Sequence, residues 1–351
     1  MRRFLLVLAF PVFVGSFLAV FPFSCFSGRD GGVQKSLDRG ENWTAKNFIS
    51  KSYSLATFNV LSLTNDPQNQ QVLYLGTRGN GLYKTVNGGE NWYQVKDKNN
   101  LLTNRANIYD IAIDPRNNNN LYLGTYQDRY GRLFRSGDAG QSWEEVYRVS
   151  REKYAIFAVE VDSYDPSVVY MGTAEGGFLK SLDFGKNWKV IKWFNGVITD
   201  IKINPHDTRT VFVSVANDGI YKTNDKGQNW QKLDSLKNFP EAEKVETLVM
   251  DNKNPNILYI GSPNGLLKSL DGGETWQRVE IIVPPKSVTI QAVALDPVFS
   301  SSLYYAAANV IYRSDDNGQT WSSHPLNTKR GIKVITIDLS NPNTLYAGLH
   351  D

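Results

Sequence analysis

SLDGGETW, Ser269–Trp276, is one of seven copies of the same octet in this chain. The others are SLDRGENW (Ser36–Trp43), TVNGGENW (Thr85–Trp92), SGDAGQSW (Ser136–Trp143), SLDFGKNW (Ser181–Trp188), TNDKGQNW (Thr223–Trp230) and SDDNGQTW (Ser314–Trp321). The copies recur at intervals of 42 to 51 residues. Self-similarity at a period of that size marks a repeat architecture.

Each fixed position of the octet has a physical job. It opens with a hydroxyl: Ser36, Thr85, Ser136, Ser181, Thr223, Ser269 and Ser314. The hydroxyl can tie the entering strand to a turn. Two residues later comes Asp38, Asn87, Asp138, Asp183, Asp225, Asp271 or Asp316, which can accept backbone N–H groups and hold the turn. The glycine, Gly40, Gly89, Gly140, Gly185, Gly227, Gly273 or Gly318, permits a positive φ. The octet ends on Trp43, Trp92, Trp143, Trp188, Trp230, Trp276 or Trp321, seven of the eight tryptophans, whose rings are expected to be buried between neighbouring units.

The flanks repeat with the octet. A strand-like run such as IYDIAIDP (Ile108–Pro115) precedes a second such as LYLGT (Leu121–Thr125). A third, such as GLYKT, enters the octet, and the tryptophan opens a fourth. These runs are short, rich in β-branched and aromatic residues, and punctuated by Gly, Asn, Asp and Pro. Four short strands every ~45 residues are the arithmetic of a β-propeller blade. The predicted fold is all-β, a seven-bladed β-propeller of four-stranded antiparallel blades. Six blades are complete. The last residues, IKVITIDL and TLYAG, supply only a first and a second strand, while GGVQKS and the first octet supply a third and a fourth. Written head to tail, LYAGLHD plus GGVQKSLDRGENW is one whole unit. The N- and C-terminal strands are therefore expected to share the seventh blade. His350 and Asp351 are read as loop residues of that blade.

These octets resemble the Asp-box, or bacterial neuraminidase repeat. After residue 30 the chain looks like an Asp-box propeller, similar to the photosystem II stability and assembly factor family and to the sortilin-type propellers of bacterial exported proteins. Xyloglucanase-type glycosidases and sialidases share the box. The resemblance implies a fold rather than an activity, with the boxes on outer turns away from the central binding face.

No catalytic residues are assigned. A sialidase would need an arginine cluster with an early Arg-Ile-Pro type motif, which is absent. A glycosidase needs two carboxylates about 5–10 Å apart across one bond, and xyloglucanase-type enzymes hold theirs between two propellers, whereas this chain has boxes for one. The reading is a non-catalytic scaffold that binds a protein or polymer partner, with a glycosidase or glycan-binding module as the alternative. Loop length points to a basic, aromatic rim. It comprises Tyr126, Arg129, Tyr130 and Arg132 in an enlarged loop, and Arg148, Arg151, Lys153 and Tyr154 in the next link. Trp193, the tryptophan outside the boxes, and Lys329 and Arg330 in the link to the last blade complete it.

Composition narrows the rest. The formal net charge is +3 with no long basic run, so no nucleic-acid partner is expected. One cysteine, Cys25, and three scattered histidines, His206, His324 and His350, provide neither a disulfide framework nor a metal site, and no cofactor is expected. Residues 1–27 differ from the rest: Arg2 and Arg3 precede an uncharged run, Phe4–Phe26. That is an export signal pattern, long enough to span a bilayer if uncleaved. Three outcomes stay open: an uncleaved anchor, a lipoprotein acylated on Cys25, or secretion after cleavage before Gly28. Each leaves residues 28–351, a single and monomeric propeller domain, outside the cytoplasm; the first two hold it at the membrane.

Overall fold

The computed structural model describes residues 30–351. The expectations for residues 1–27, including the lipid on Cys25, lie outside the described residues. No helix among the described residues is long and apolar enough to cross a membrane.

Seven four-stranded antiparallel sheets follow one another, and the first strand of each contacts the first strand of the next around a closed ring. Blades 1 to 6 span 60–94, 107–148, 156–193, 198–232, 247–278 and 290–325. Blade 7 takes its inner strands, Gly331–Ile337 and Leu345–His350, from the end of the chain. Its outer strands, Gly32–Ser36 and Thr44–Ala45, come from the beginning. Gly32 pairs with Leu349 and Ser36 with Leu345, which is the head-to-tail closure expected from the repeats. A few elements lie outside the repeat arithmetic: the link from blade 7 to blade 1 carries an extra hairpin, Phe48–Ser50 with Tyr53–Ser54, followed by a 3-10 turn, Leu55–Thr57, and a second 3-10 turn, Asp234–Asn238, follows blade 4.

Burial follows strand order. Second strands such as Val169–Thr173, Val211–Val215 and Leu258–Ser262 are buried at every residue. Neighbouring blades cover both of their faces, so they read as continuous apolar runs rather than alternations. Outer strands such as Thr44–Ala45 and Gln277–Arg278 are exposed. The glycine of the LYLG-type runs has a packing reason. A Cβ on Gly76 would lie 2.5 Å from the Ile108 carbonyl oxygen of blade 2, and one on Gly261 2.4 Å from that of Ile290 in blade 6. Blade-to-blade approach leaves no room for a side chain there.

The boxes are turns closed by their own side chains. Ser36 Oγ accepts the Gly40 N–H at 2.8 Å and donates to Asp38 Oδ1 at 2.7 Å. Asp38 in turn accepts the Asn42 N–H at 2.9 Å and its side-chain amide at 2.7 Å. The same network recurs at Asp183 and Asp225, and with a hydroxyl donor at Asp138, Asp271 and Asp316. Asn87 keeps the Oδ1 half of it. The hydroxyl, on the last residue of the entering strand, ties that strand to the turn by capping the glycine N–H. The residue before each glycine is also left-handed, as at Arg39 (φ 60°), Phe184 (φ 60°) and Lys226 (φ 59°), so the turn needs two successive positive φ angles where the glycine alone advertises one. Donors two to four residues away hold the carboxyls of Asp38, Asp183, Asp225 and Asp316 down at about 2. With their acceptor sites occupied, these acids are turn clamps.

Neighbouring blades are stitched through the same turns. Tyr74 of blade 1 donates its hydroxyl to the Ala139 carbonyl in the box of blade 2, Tyr122 of blade 2 to Phe184 of blade 3, and Tyr346 of blade 7 to Gly88 of blade 1. A third-strand cation makes the same crossing: Lys35 to Gly88, Lys84 to Ala139, Lys222 to Gly272 and Arg313 to Arg39.

Candidate ligand-binding face at the channel mouth

The first strand of each blade lines the central channel, and a backbone irregularity decides which side chains reach its mouth. In six blades the pairing of first and second strands skips one residue near the start of the first strand. The skipped residues are Leu61, Tyr109, Phe157, Thr199, Gln291 and Lys333. A bulge leaves one residue unpaired and re-aims its side chain. In blade 5, Glu246 lies just before the strand and bonds through its N–H to Gly261. All seven residues line one cavity of roughly 590 Å³. This ring of one residue per blade is the site that sequence reasoning missed. Its trace in the sequence is the variable residue after an Ile or Val at the head of each first strand, as in Ile108-Tyr109, Ile156-Phe157 and Ile332-Lys333.

The ring is divided. Blades 1 to 3 contribute Leu61 and the edge-to-face pair Tyr109–Phe157, whose centroids are 4.5 Å apart. Blades 4 to 7 contribute Thr199, Glu246, Gln291 and Lys333. Arg78, Asn217, Lys244, His350 and Asp351 border the same cavity. The Arg78 and Lys333 side chains make no hydrogen bond or ion pair among the described residues, and they share the cavity with the carboxylates of Glu246 and Asp351. Burial, together with the charges of Arg78 and Lys333, lowers the pKa of His350 and disfavours its imidazolium. His350 is the last residue of a strand, not a loop residue, and with Asp351 it forms part of the mouth.

Beneath the mouth lies a cluster of ionisable groups: Asp110, Glu160, Asp200 and Lys202. Lys202 Nζ donates to Asp200 Oδ1 at 2.8 Å, and the Val159 N–H donates to Asp110 Oδ2 at 2.8 Å. Loss of water around the carboxyls pushes Glu160 up to about 8 and Asp110 up to about 6, while Lys202 opposes both shifts. Burial acts against the Lys202 ammonium, but Asp200, Glu160 and Asp110 outweigh it and raise its pKa. Among the described residues no group of three or more His, Cys, Asp or Glu side chains has a metal-holding arrangement. The cluster has a stability consequence. Acids with raised folded-state pKa values keep protons that the unfolded chain releases, so stability is lost as pH rises from about 4 toward about 8. The loss is at most about 1.4 kcal/mol per pH unit for each proton. Thermal melts of the wild type are expected to show this decline, and Glu160→Gln to flatten its upper part. An equal slope in the variant would remove Glu160 as the source.

The rim residues expected from loop length fall into three places. Tyr126, Arg129, Tyr130, Arg132 and Arg148 lie at the outer corner of blade 2, with Arg151, Lys153 and Tyr154 in the link that follows. Acids answer most of this charge. Arg129 pairs with Glu152, Arg132 with Glu145 at 2.9 Å and Asp128 at 3.2 Å, and Arg148 with Glu145 at 2.7 Å. Tyr154 packs against the core between blades 2 and 3, and Arg151 and Lys153 stay exposed. Trp193 is 56% exposed at the end of the outer strand of blade 3. Arg330 belongs to the closing seam: it donates to the Phe58 carbonyl at 3.3 Å and Asn59 Oδ1 at 2.9 Å, and pairs with Asp351 at 3.1 Å. The Lys329 N–H donates to Asp30 Oδ2 at 2.9 Å beside it.

No curated protein matches the chain in sequence. The family described as photosynthesis system II assembly factor YCF48 matches residues 192–340. Solved structures with a similar fold include two kinds of protein. The GH74 xyloglucanase from Xanthomonas campestris superposes with a TM-score of 0.68 at 18% identity over 84% of this chain, which spans only 51% of the enzyme's length. A YCF48 bound to a D1 peptide superposes with a TM-score of 0.64 at 16% identity, covering 84% of this chain and 94% of that one. YCF48 from Cyanidioschyzon merolae gives 0.63 at 15% identity, covering 83% and 95%. The chain is thus a seven-bladed Asp-box β-propeller that resembles the YCF48 assembly factors in part of its sequence, and in fold both those factors and the GH74 enzymes.

Proposed function

We propose that this propeller is a non-catalytic scaffold that binds an extended segment of a client protein across the channel mouth. The observation that carries the reading is the divided ring. Leu61, Tyr109 and Phe157 offer an apolar half to buried side chains of the segment, and Arg78 and Lys333, which make no ion pair among the described residues, offer charge to its carboxylates. Aromatic anchors beside cations are what a protein-binding surface needs. Likeness in fold and length to a YCF48 solved with a peptide supports the same reading. Export, and retention at the envelope by residues 1–27 or by a lipid on Cys25, are part of the proposal. They rest on Arg2, Arg3 and the uncharged run that follows.

Fluorescence anisotropy with a set of acidic peptides bearing apolar residues tests the binding, with xyloglucan oligosaccharides measured in parallel. Phe157→Ala combined with Lys333→Glu is expected to weaken the best peptide by about tenfold or more. Hydrolysis of the oligosaccharide, or peptide binding unchanged in the variant, would overturn the reading. Cell fractionation of the wild type and Cys25→Ser reads the anchoring separately.

A further inference from the structure

The stitching between blades is interrupted at the seam of blades 3 and 4. Tyr170 and Lys180 occupy the positions of Tyr74 and Lys84, and the box carbonyl they would reach belongs to Lys226. Neither bonds to it. Tyr170 is fully buried, and its hydroxyl has no hydrogen-bond partner. The Lys180 ammonium sits over the Tyr170 ring, 5.4 Å from its centroid, as Lys84 sits over Tyr74 at a stitched seam, but without the further bond to the next box. At three other seams the crossing cation also meets the acid after the box glycine: Lys35 meets Glu90, Lys222 meets Glu274 and Arg313 meets Glu41. Here that position is Gln228, and the residue before the glycine is a second cation, Lys226. Burial lowers the pKa of Lys180, and repulsion by Lys226 lowers it further. The stitching is also missing between blades 5 and 6, but Lys268 there is buried against Tyr259 and the matching box residue is the neutral Asn317.

The interrupted seam opens into a groove of roughly 680 Å³. Lys180, Lys189 and Lys226 line it, and none makes a hydrogen bond or ion pair through its side chain. Asp225 clamps its box, Asp207 forms a two-pronged pair with Arg209 at 2.8 Å on each arm, and Asp165 accepts from Ser167. Asp162 attracts Lys180 without bonding to it. The side-chain oxygen of Asn224 accepts from Thr210, which leaves its amide N–H groups to donate. One wall is aliphatic: Leu182, 68% exposed, with Val190 and Ile191.

We propose that this groove binds an amphipathic organic phosphate, its oxygens among Lys180, Lys189 and Lys226 and its aliphatic body along Leu182, Val190 and Ile191. Three ammonium groups with amide donors offer more hydrogen bonds than one carboxylate can accept, and suit the oxygens of a phosphate. A wall of Leu, Val and Ile without aromatic rings suits an alkyl chain rather than a base or a sugar. The site is on the box-bearing side of the ring and is independent of the channel mouth.

Isothermal titration calorimetry of the full chain in a neutral detergent tests this with hexyl phosphate, inorganic phosphate and hexanol. Hexyl phosphate is expected to bind at least about tenfold more tightly than either of the others. Lys180→Gln combined with Lys226→Gln should lose about tenfold or more of that affinity. The double variant also removes a like-charge repulsion, so its melting temperature should not fall. Leu182→Asp should abolish the preference for hexyl phosphate over inorganic phosphate. Equal affinity for all three probes, or full affinity in a folded double variant, would overturn the proposal. Dihexanoylphosphatidylglycerol separates the two sources of such a group. Tighter binding than hexyl phosphate assigns a lipid phosphodiester, and weaker binding a soluble monoester.

Discussion

Removal of residues 332–351 is expected to abolish the cooperative folding of the whole ring, not to trim its edge. The deletion takes both inner strands of blade 7 and, with them, Ile332, Ile335, Ile337, Leu345, Tyr346 and Leu349, all buried. At ~1.5–3 kcal/mol for each large apolar side chain returned to water, the loss is comparable to or larger than the ~5–15 kcal/mol by which a typical domain is stable. The damage spreads to both neighbours, because the isoleucines and leucines pack with Ala292, Tyr304 and Ile311 of blade 6 and Tyr346 packs with Leu63, Leu73 and Trp92 of blade 1. Gly348 is also the close-approach position against Val60 of blade 1. The strand Gly32–Ser36 would keep only its outer partner, leaving an unpaired edge. Calorimetry and limited proteolysis read the outcome. A single cooperative transition at the wild-type temperature in the truncated chain would refute the view that the shared blade closes the ring.

Trp143→Ala is expected to destabilise the protein by ~3–5 kcal/mol, as loss of a large buried ring does. Trp193→Ala is expected to stay within about 0.5 kcal/mol. Trp143 is 1% exposed and packs among Tyr74, Ile111 and Leu123 at the junction of blades 1 and 2. Trp193 is 56% exposed on an outer strand. Its indole lies over Gly177, so little new cavity forms when it is removed. Urea denaturation of both variants, with slopes compared to the wild type, gives the difference directly. Equal costs would mean that Trp143 is not the wedge between blades 1 and 2 that its burial indicates; of the other box tryptophans Trp92 and Trp276 are buried, and Trp43, Trp188, Trp230 and Trp321 are only partly so.

The blade count, the strand count and the sharing of blade 7 were legible because they are properties of spacing. Seven octets, four short apolar runs between them and two half-units at the ends leave little freedom once each run must bury one or both faces. The box chemistry was half legible. Asp38 and its equivalents were recognisable as turn residues, but the left-handed Arg39, Ala139, Phe184 and Lys226 look like ordinary positions in the sequence, since nothing in their side chains announces a positive φ.

The binding face was not legible, for a different reason. Counting charged residues in long loops favoured Arg129, Arg132 and Arg148, yet pairing with Glu145, Glu152 and Asp128 neutralises them, and pairing depends on which side chains the fold brings within ~4 Å. The mouth is set by a one-residue slip in strand pairing that turns Tyr109, Phe157 and Lys333 toward the axis. The groove at Lys180 likewise exists because one cation finds no partner in the next blade. Sequence alone determined the repeating unit and its number, because local patterning and turn chemistry act within a few residues. Only the tertiary structure decided which side chains meet, and so where a ligand could bind, because the partners at each seam and around the channel lie a whole blade apart in the chain.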